Sequence, residues 1–222
     1  MGLRVRIHGI EGRMTMDTPR TNVEFYFDFM SPFAYLASHR LRQCRQEYGC
    51  DIAYNPIDLT RAKKAAGNTG PANREIPVKL RYLIEDLKRW AALYGIPMGF
   101  IGNLNSAPLN KGTFYAAAKG QAEDYVERAY TLTWGLSGAP DDVGLLHNLA
   151  EGLGWDAEEF LAYIGGDEAE HTYDMSNEDA IALGVFGVPT MIADGQMWWG
   201  NDRIFMLETY LETQRTPEKV RA

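Results

Sequence analysis

Between Val23 and Phe29 the chain alternates. Val23, Phe25, Phe27 and Phe29 are apolar, and Glu24, Tyr26 and Asp28 stand between them. A period of two in β-prone residues predicts a strand. The alternation stops at Ser31-Pro32. Serine is a favoured helix N-cap and proline is favoured at the first helical position. Leu36, Leu41 and Cys44 then fall at helical spacing, so a helix is expected from Phe33 to Tyr48. A strand therefore runs straight into a helix, with Ser31 at the junction. A helix start presents unpaired N–H groups and a partial positive charge, which stabilise an anion such as a thiolate. Taken alone, a serine there is more commonly an ordinary cap.

Further along, Asp51–Asp58 reads as a second strand, and its Pro56 suggests an edge position or a bulge. Arg61–Asn73 reads as a long polar loop of the kind that often carries function. Leu80, Leu83, Leu87, Trp90 and Leu93 repeat at three to four, predicting a helix over Glu75–Tyr94 that Gly95-Ile96-Pro97 ends. After an irregular stretch, Met98–Asn110, one long helix is expected over Lys111–Leu136, with Phe114, Ala118, Tyr125, Ala129 and Leu132 on its apolar face. Shorter helices follow over Asp141–Leu153, Asp156–Ile164 and Glu168–Leu183, the last burying Met175, Ala180 and Leu183. Gly187–Ala193 and Gln196–Trp199 form a hairpin about Asp194-Gly195, and a final helix covers Arg203–Gln214. Trp198 and Trp199 must face opposite ways, one to the core and one to a site. Leu3–Ile10 alternates weakly, as an edge strand does.

The order is β-α-β, a block of helices, then β-β-α. That is an α/β thioredoxin-like fold with a large inserted all-α domain. The expected division is an extension over 1–22, a thioredoxin-like domain over 23–74 and 185–215, and a helical insertion over 75–184. A net charge of −8 without a basic stripe argues against nucleic acid as a partner. No apolar run is long enough for a bilayer, and residues 1–20 do not read as a signal peptide, which points to the cytoplasm. The only cysteines, Cys44 and Cys50, lie away from the junction. They make neither a redox pair nor a metal site, so no metal is expected. Where thioredoxin-like proteins carry Cys-x-x-Cys, this chain reads Ser31-Pro32-Phe33-Ala34. Any sulfur used there comes from a ligand. No cluster forms among His8, His39, His147 and His171.

Three separated blocks carry a family resemblance: FYFDFMSPFAYLA at Phe25–Ala37, IDLTRAKKAAGNTGPANRE at Ile57–Glu75, and VFGVPTMIADGQMWWGNDRIFMLE at Val185–Glu208. From about Val23 to about Tyr210 the sequence resembles the 2-hydroxychromene-2-carboxylate isomerases and, more distantly, the kappa-class glutathione transferases. The resemblance implies glutathione as cofactor. It implies interconversion of 2-hydroxychromene-2-carboxylate and trans-o-hydroxybenzylidenepyruvate, a step in bacterial naphthalene breakdown. Ser31 matches the family's glutathione-contacting serine. Val188, before Pro189, matches a backbone contact, and the Val188–Pro189 bond is expected to be cis. Trp199, Gly200, Asn201 and Asp202 match the remaining glutathione contacts, with the γ-glutamyl end at the start of the last helix. Lys63, Asn73 and Arg74 match substrate-side positions.

The chain departs from the family at Leu104, where close relatives have a tyrosine near the substrate. The wall stays apolar and loses a hydroxyl, which leaves the exact aromatic substrate open. The expected partner is a small aromatic carboxylate, with a homodimer as an option for assembly. Two rival functions remain: a kappa-like transferase that releases a conjugate, and a thioredoxin-like binding module without chemistry. The missing cysteine argues against a disulfide oxidoreductase.

Overall fold

The computed structural model of the chain describes residues 20–102 and 104–215. The expected edge strand at Leu3–Ile10 lies outside them. Strand β1 (Asn22–Phe27) leads through helix α1 (Pro32–Tyr48) into β2 (Asp51–Pro56). Parallel neighbours need such a crossover. Val23 sits opposite Ile52 and Phe27 opposite Pro56. On its other side β1 pairs antiparallel with β3 (Thr190–Ala193), Tyr26 opposite Thr190. Strand β4 (Gln196–Trp199) completes the order β2-β1-β3-β4. Pro56 thus lies at the end of an edge strand, where its missing N–H costs no ladder bond.

Because β1 is central, both its faces are covered. Tyr26 and Asp28, which the alternation places on a polar face, are buried along with Phe25, Phe27 and Phe29. The Phe25 and Phe27 rings stack at 5.1 Å, and Phe29 packs on Tyr130 at 4.5 Å. One apolar core runs from the sheet into the helices between β2 and β3.

Those helices are α2 (Leu59–Ala65), α3 (Pro77–Tyr94), α4 (Ala107–Ala118), α5 (Ala122–Tyr130), α6 (Val143–Gly152), α7 (Ala157–Ile164) and α8 (Asp167–Ala182), with α9 (Ile204–Arg215) after β4. Four expectations change. The polar loop begins with α2, because Asp58 caps it by accepting from the Thr60 and Arg61 amides at 2.7 and 3.0 Å. Helix α4 starts within the stretch read as irregular, with Pro108 in its first turn. The single long helix over Lys111–Leu136 is two helices and a π turn. Gly120, at φ +70°, breaks it, and Thr131–Gly135 forms the π turn. Helix α8 buries Ala169, Tyr173, Asn177 and Ala180, while Met175 and Leu183 are exposed.

The π turn has a visible use. It carries Trp134, whose indole N–H donates to the Phe29 carbonyl at 2.8 Å. This bond ties the insertion to the chain just ahead of Ser31. Among the described residues, no helix is long and apolar enough to cross a membrane.

Candidate active site

Ser31 is the N-cap of α1, with φ −100° and ψ 113°, and Pro32 opens the helix. Its N–H donates to the Asp28 carbonyl at 2.9 Å. Its Oγ accepts from the Ala34 amide at 3.3 Å. Among the described residues no protein group takes the Ser31 hydroxyl proton. The residue is only 5% exposed, and what it does expose faces a cavity of about 800 Å³.

Val188 lines the same cavity as Ser31. The Val188–Pro189 bond is cis, as expected. Ladder pairing of β3 with β1 ends at Thr190, so the amide and carbonyl of Val188 lie beyond it. Trp199 is half exposed and lines the same cavity, while Trp198 packs into the core beside Tyr210. Phe186 meets the Trp199 ring edge-on at 4.9 Å. A side chain at Gly187 would strike the Trp199 indole nitrogen, its Cβ coming within 2.7 Å.

Much of the remaining lining comes from the stretch between β2 and α4. Lys63 on α2, Asn73 and Arg74 on a short 3-10 turn, and Leu104 all line the cavity. The apolar stripe of α3 serves here too. Leu80, Leu83 and Leu87 face the cavity, and Leu93, placed on the same stripe by periodicity, is exposed.

The remaining expected contacts are not on the lining. Pro189 accepts the Gly200 amide at 2.9 Å, which shapes the turn after Trp199. Gly200 has φ +108°, a conformation that suits glycine alone. Asn201 is buried, and its Oδ1 accepts from the Tyr94 hydroxyl at 3.3 Å. Asp202 is exposed and pairs with Arg203 at 2.5 Å.

Lys79 was not expected. It sits on the first turn of α3, lines the cavity and donates to Asn73 Oδ1 at 3.2 Å. Lys63, Arg74 and Lys79 make the lining cationic. Among the described lining residues there is no aspartate or glutamate, and none of the three cations has an ion-pair partner. In a chain of net charge −8 that is a marked local reversal. It suits an anionic ligand.

A family model for the DSBA-like thioredoxin domain matches residues 22–212. A 2-hydroxychromene-2-carboxylate isomerase of Pseudomonas putida is 50% identical over 187 residues, which cover 84% of this chain and 92% of the relative. The chain belongs to the 2-hydroxychromene-2-carboxylate isomerase family. A solved selenomethionine structure of a 2-hydroxychromene-2-carboxylate isomerase superposes with a TM-score of 0.85 at 48% identity, over 87% of this chain and 96% of that one. Human glutathione S-transferase kappa 1 is 27% identical across 85% of this chain and 89% of its own. Isomerase-family membership fits the Ser-Pro helix start and the DsbA-like sheet. It also fits Cys44 and Cys50, which are free, buried and not on the cavity lining.

Proposed function

We propose that the cavity between the α1 start and the Lys63–Arg74 wall is a glutathione-dependent isomerase site. It interconverts 2-hydroxychromene-2-carboxylate and trans-o-hydroxybenzylidenepyruvate, or a close aromatic analogue. One observation carries this reading. A serine hydroxyl whose proton no described protein group accepts, at a helix start, shares one cavity with three cations that have no ion-pair partner among the described residues.

The residues present fit glutathione. The helix start supplies no sulfur of its own, and Ser31 has a proton to give. Held by Ser31 and Val188, glutathione would supply a thiolate suited to reversible addition to a double bond conjugated with a carbonyl. A free thiol has a pKa near 8.5 and is only a few per cent ionised at neutral pH. Donation from Ser31 and the potential of the α1 N-terminus lower that value by about one to two units. Ser31 is then an anion stabiliser and not a nucleophile. The amide and carbonyl of Val188 pair with the cysteinyl unit, as an added strand would. Trp199 walls the mouth, and the Gly200–Asp202 turn takes the γ-glutamyl end, Asp202 meeting its ammonium group.

Elsewhere on the lining Arg74 and Lys63 hold the substrate carboxylate, Arg74 with a bidentate grip. Asn73 positions that pair of contacts, and Leu104 packs against the ring. No oxidation state changes, so the chain needs no redox cysteine. Two buried free thiols accord with a cytoplasmic setting.

The test is to incubate the protein with a cis–trans mixture of o-hydroxybenzylidenepyruvate and trace glutathione, and follow isomer ratio and glutathione together. The expected result is catalytic isomerisation with glutathione undiminished. Stoichiometric loss of glutathione would identify a kappa-like transferase instead. No change in either would leave a binding module.

A further inference from the structure

We propose that Asp28 is a positioning residue, and that its carboxyl group sets the separation between the two walls of the cavity. Asp28 lies between β1 and Ser31 and is 1% exposed. Its two oxygens face different walls. Oδ1 accepts from the Met30 amide at 3.0 Å, within the turn that holds Ser31, and from Ser106 Oγ at 2.5 Å and Asn110 Nδ2 at 3.0 Å. Oδ2 accepts from the Leu59 amide at 2.9 Å. Leu59 is the first residue of α2, and Lys63 lies one turn further on.

The division of labour at α2 is complete. A helix start leaves its first amides without partners. Asp58 takes those of Thr60 and Arg61, and Asp28 reaches in from β1 to take that of Leu59. One side chain therefore caps the helix that bears Lys63 while bracing the turn that bears Ser31. The Asp28 carbonyl adds two more bonds, from the Ser31 amide at 2.9 Å and the Tyr130 hydroxyl at 3.1 Å. Asn110 locks the node from behind. It accepts from the Phe29 amide at 3.2 Å and bonds the Tyr173 hydroxyl at 2.9 Å. The inference rests on the reading that Lys63 meets the substrate carboxylate.

Asp28→Asn separates the two functions. Three donors converge on Oδ1 and one on Oδ2, so the amide nitrogen takes the Oδ2 place and opposes the Leu59 N–H, donor against donor. The Ser31 side keeps its acceptor. The expected result is loss of hydrogen-exchange protection at the Leu59 amide and a KM for the carboxylate substrate raised about tenfold. The glutathione KM and the pKa of the bound thiol stay as in the parent. Asp28→Asn combined with Lys63→Ala should raise KM no further than Lys63→Ala alone. Ser106→Ala, which spares the Leu59 bond, should produce no such split.

A D28N protein with unaltered Leu59 protection, or with both KM values raised alike, overturns the proposal. A Lys63→Ala variant with unchanged KM overturns the carboxylate reading instead, and Leu59 exchange then decides the positioning role. Should D28N not fold, Leu59→Pro removes the same N–H at a position where proline is tolerated, read against Leu59→Ala because the Leu59 side chain itself lines the cavity. It should give the same split in KM, and an unchanged substrate KM there overturns the proposal.

Discussion

Lys79 donates to Asn73 Oδ1 across the corner between α3 and the short turn that carries Arg74. That bond fixes the turn against the helix and sets two cations on one wall of the cavity. Losing a charge-assisted hydrogen bond costs about 1.5–3 kcal/mol. Arg74→Ala is therefore expected to raise KM for a carboxylate-bearing substrate about tenfold or more, with glutathione affinity held. Steady-state kinetics with each ligand varied in turn check this. If Arg74→Ala and Lys63→Ala both leave KM unchanged, the carboxylate is held elsewhere.

Ser31→Ala removes a donor and keeps the helix, because Pro32 still opens α1. Without the donor the thiolate is less stabilised, so the pKa of the bound thiol rises. Turnover near neutral pH falls and recovers as pH is raised, shifting the alkaline-rising limb of the profile upward. Thiolate absorbance of the bound cofactor, titrated against pH, reads the shift directly. An unmoved profile would return Ser31 to a plain cap.

Cys44 donates its thiol hydrogen to Glu208 Oε1 at 3.4 Å, and Glu208 also pairs with Arg40 at 2.5 Å. Burial, reinforced by that carboxylate, pushes the Cys44 thiol far above its ordinary range. A buried, protonated thiol is a poor nucleophile. The Cys44→Ala, Cys50→Ala double variant should keep its isomerase activity, and alkylating reagents should leave the folded parent active. Activity lost in a double variant that folds would mean the sulfur is the protein's own.

Leu104 is partly buried against the core cluster and also lines the cavity. Leu104→Tyr puts on that wall the hydroxyl that the sequence resemblance leads one to expect there. Activity on 2-hydroxychromene-2-carboxylate should rise if this chain favours a less polar ring, measured against a ring-alkylated analogue. Equal loss on both substrates would show that the cavity has no room for the larger side chain.

Local signals carried much of this architecture. The alternation in β1, the Ser31-Pro32 punctuation and the Asp194-Gly195 turn each act within a few residues, so each was legible. The π turn was not, since Thr131–Gly135 reads as helix and only Trp134 reaching Phe29 explains it. The cavity was half legible. Ser31 and Val188 stand at recognisable junctions. Lys79 is one lysine on a charged helix face, and nothing local marks it as lining a cavity. Asp28 was hidden by its own pattern: alternation with phenylalanines reads as a solvent-facing acid. Its burial follows from β1 being central, a fact of sheet order that no single strand encodes.

The π turn also limits how this chain can change in length. Each helical residue advances the chain by about 100°, so removing one residue from Thr131–Gly135 would swing Trp134 off the Phe29 carbonyl. Surface loops elsewhere absorb such losses readily. Here a single deletion would release the anchor that joins the helical insertion to the chain ahead of Ser31, so the bond from Trp134 to Phe29 ties this segment to one length.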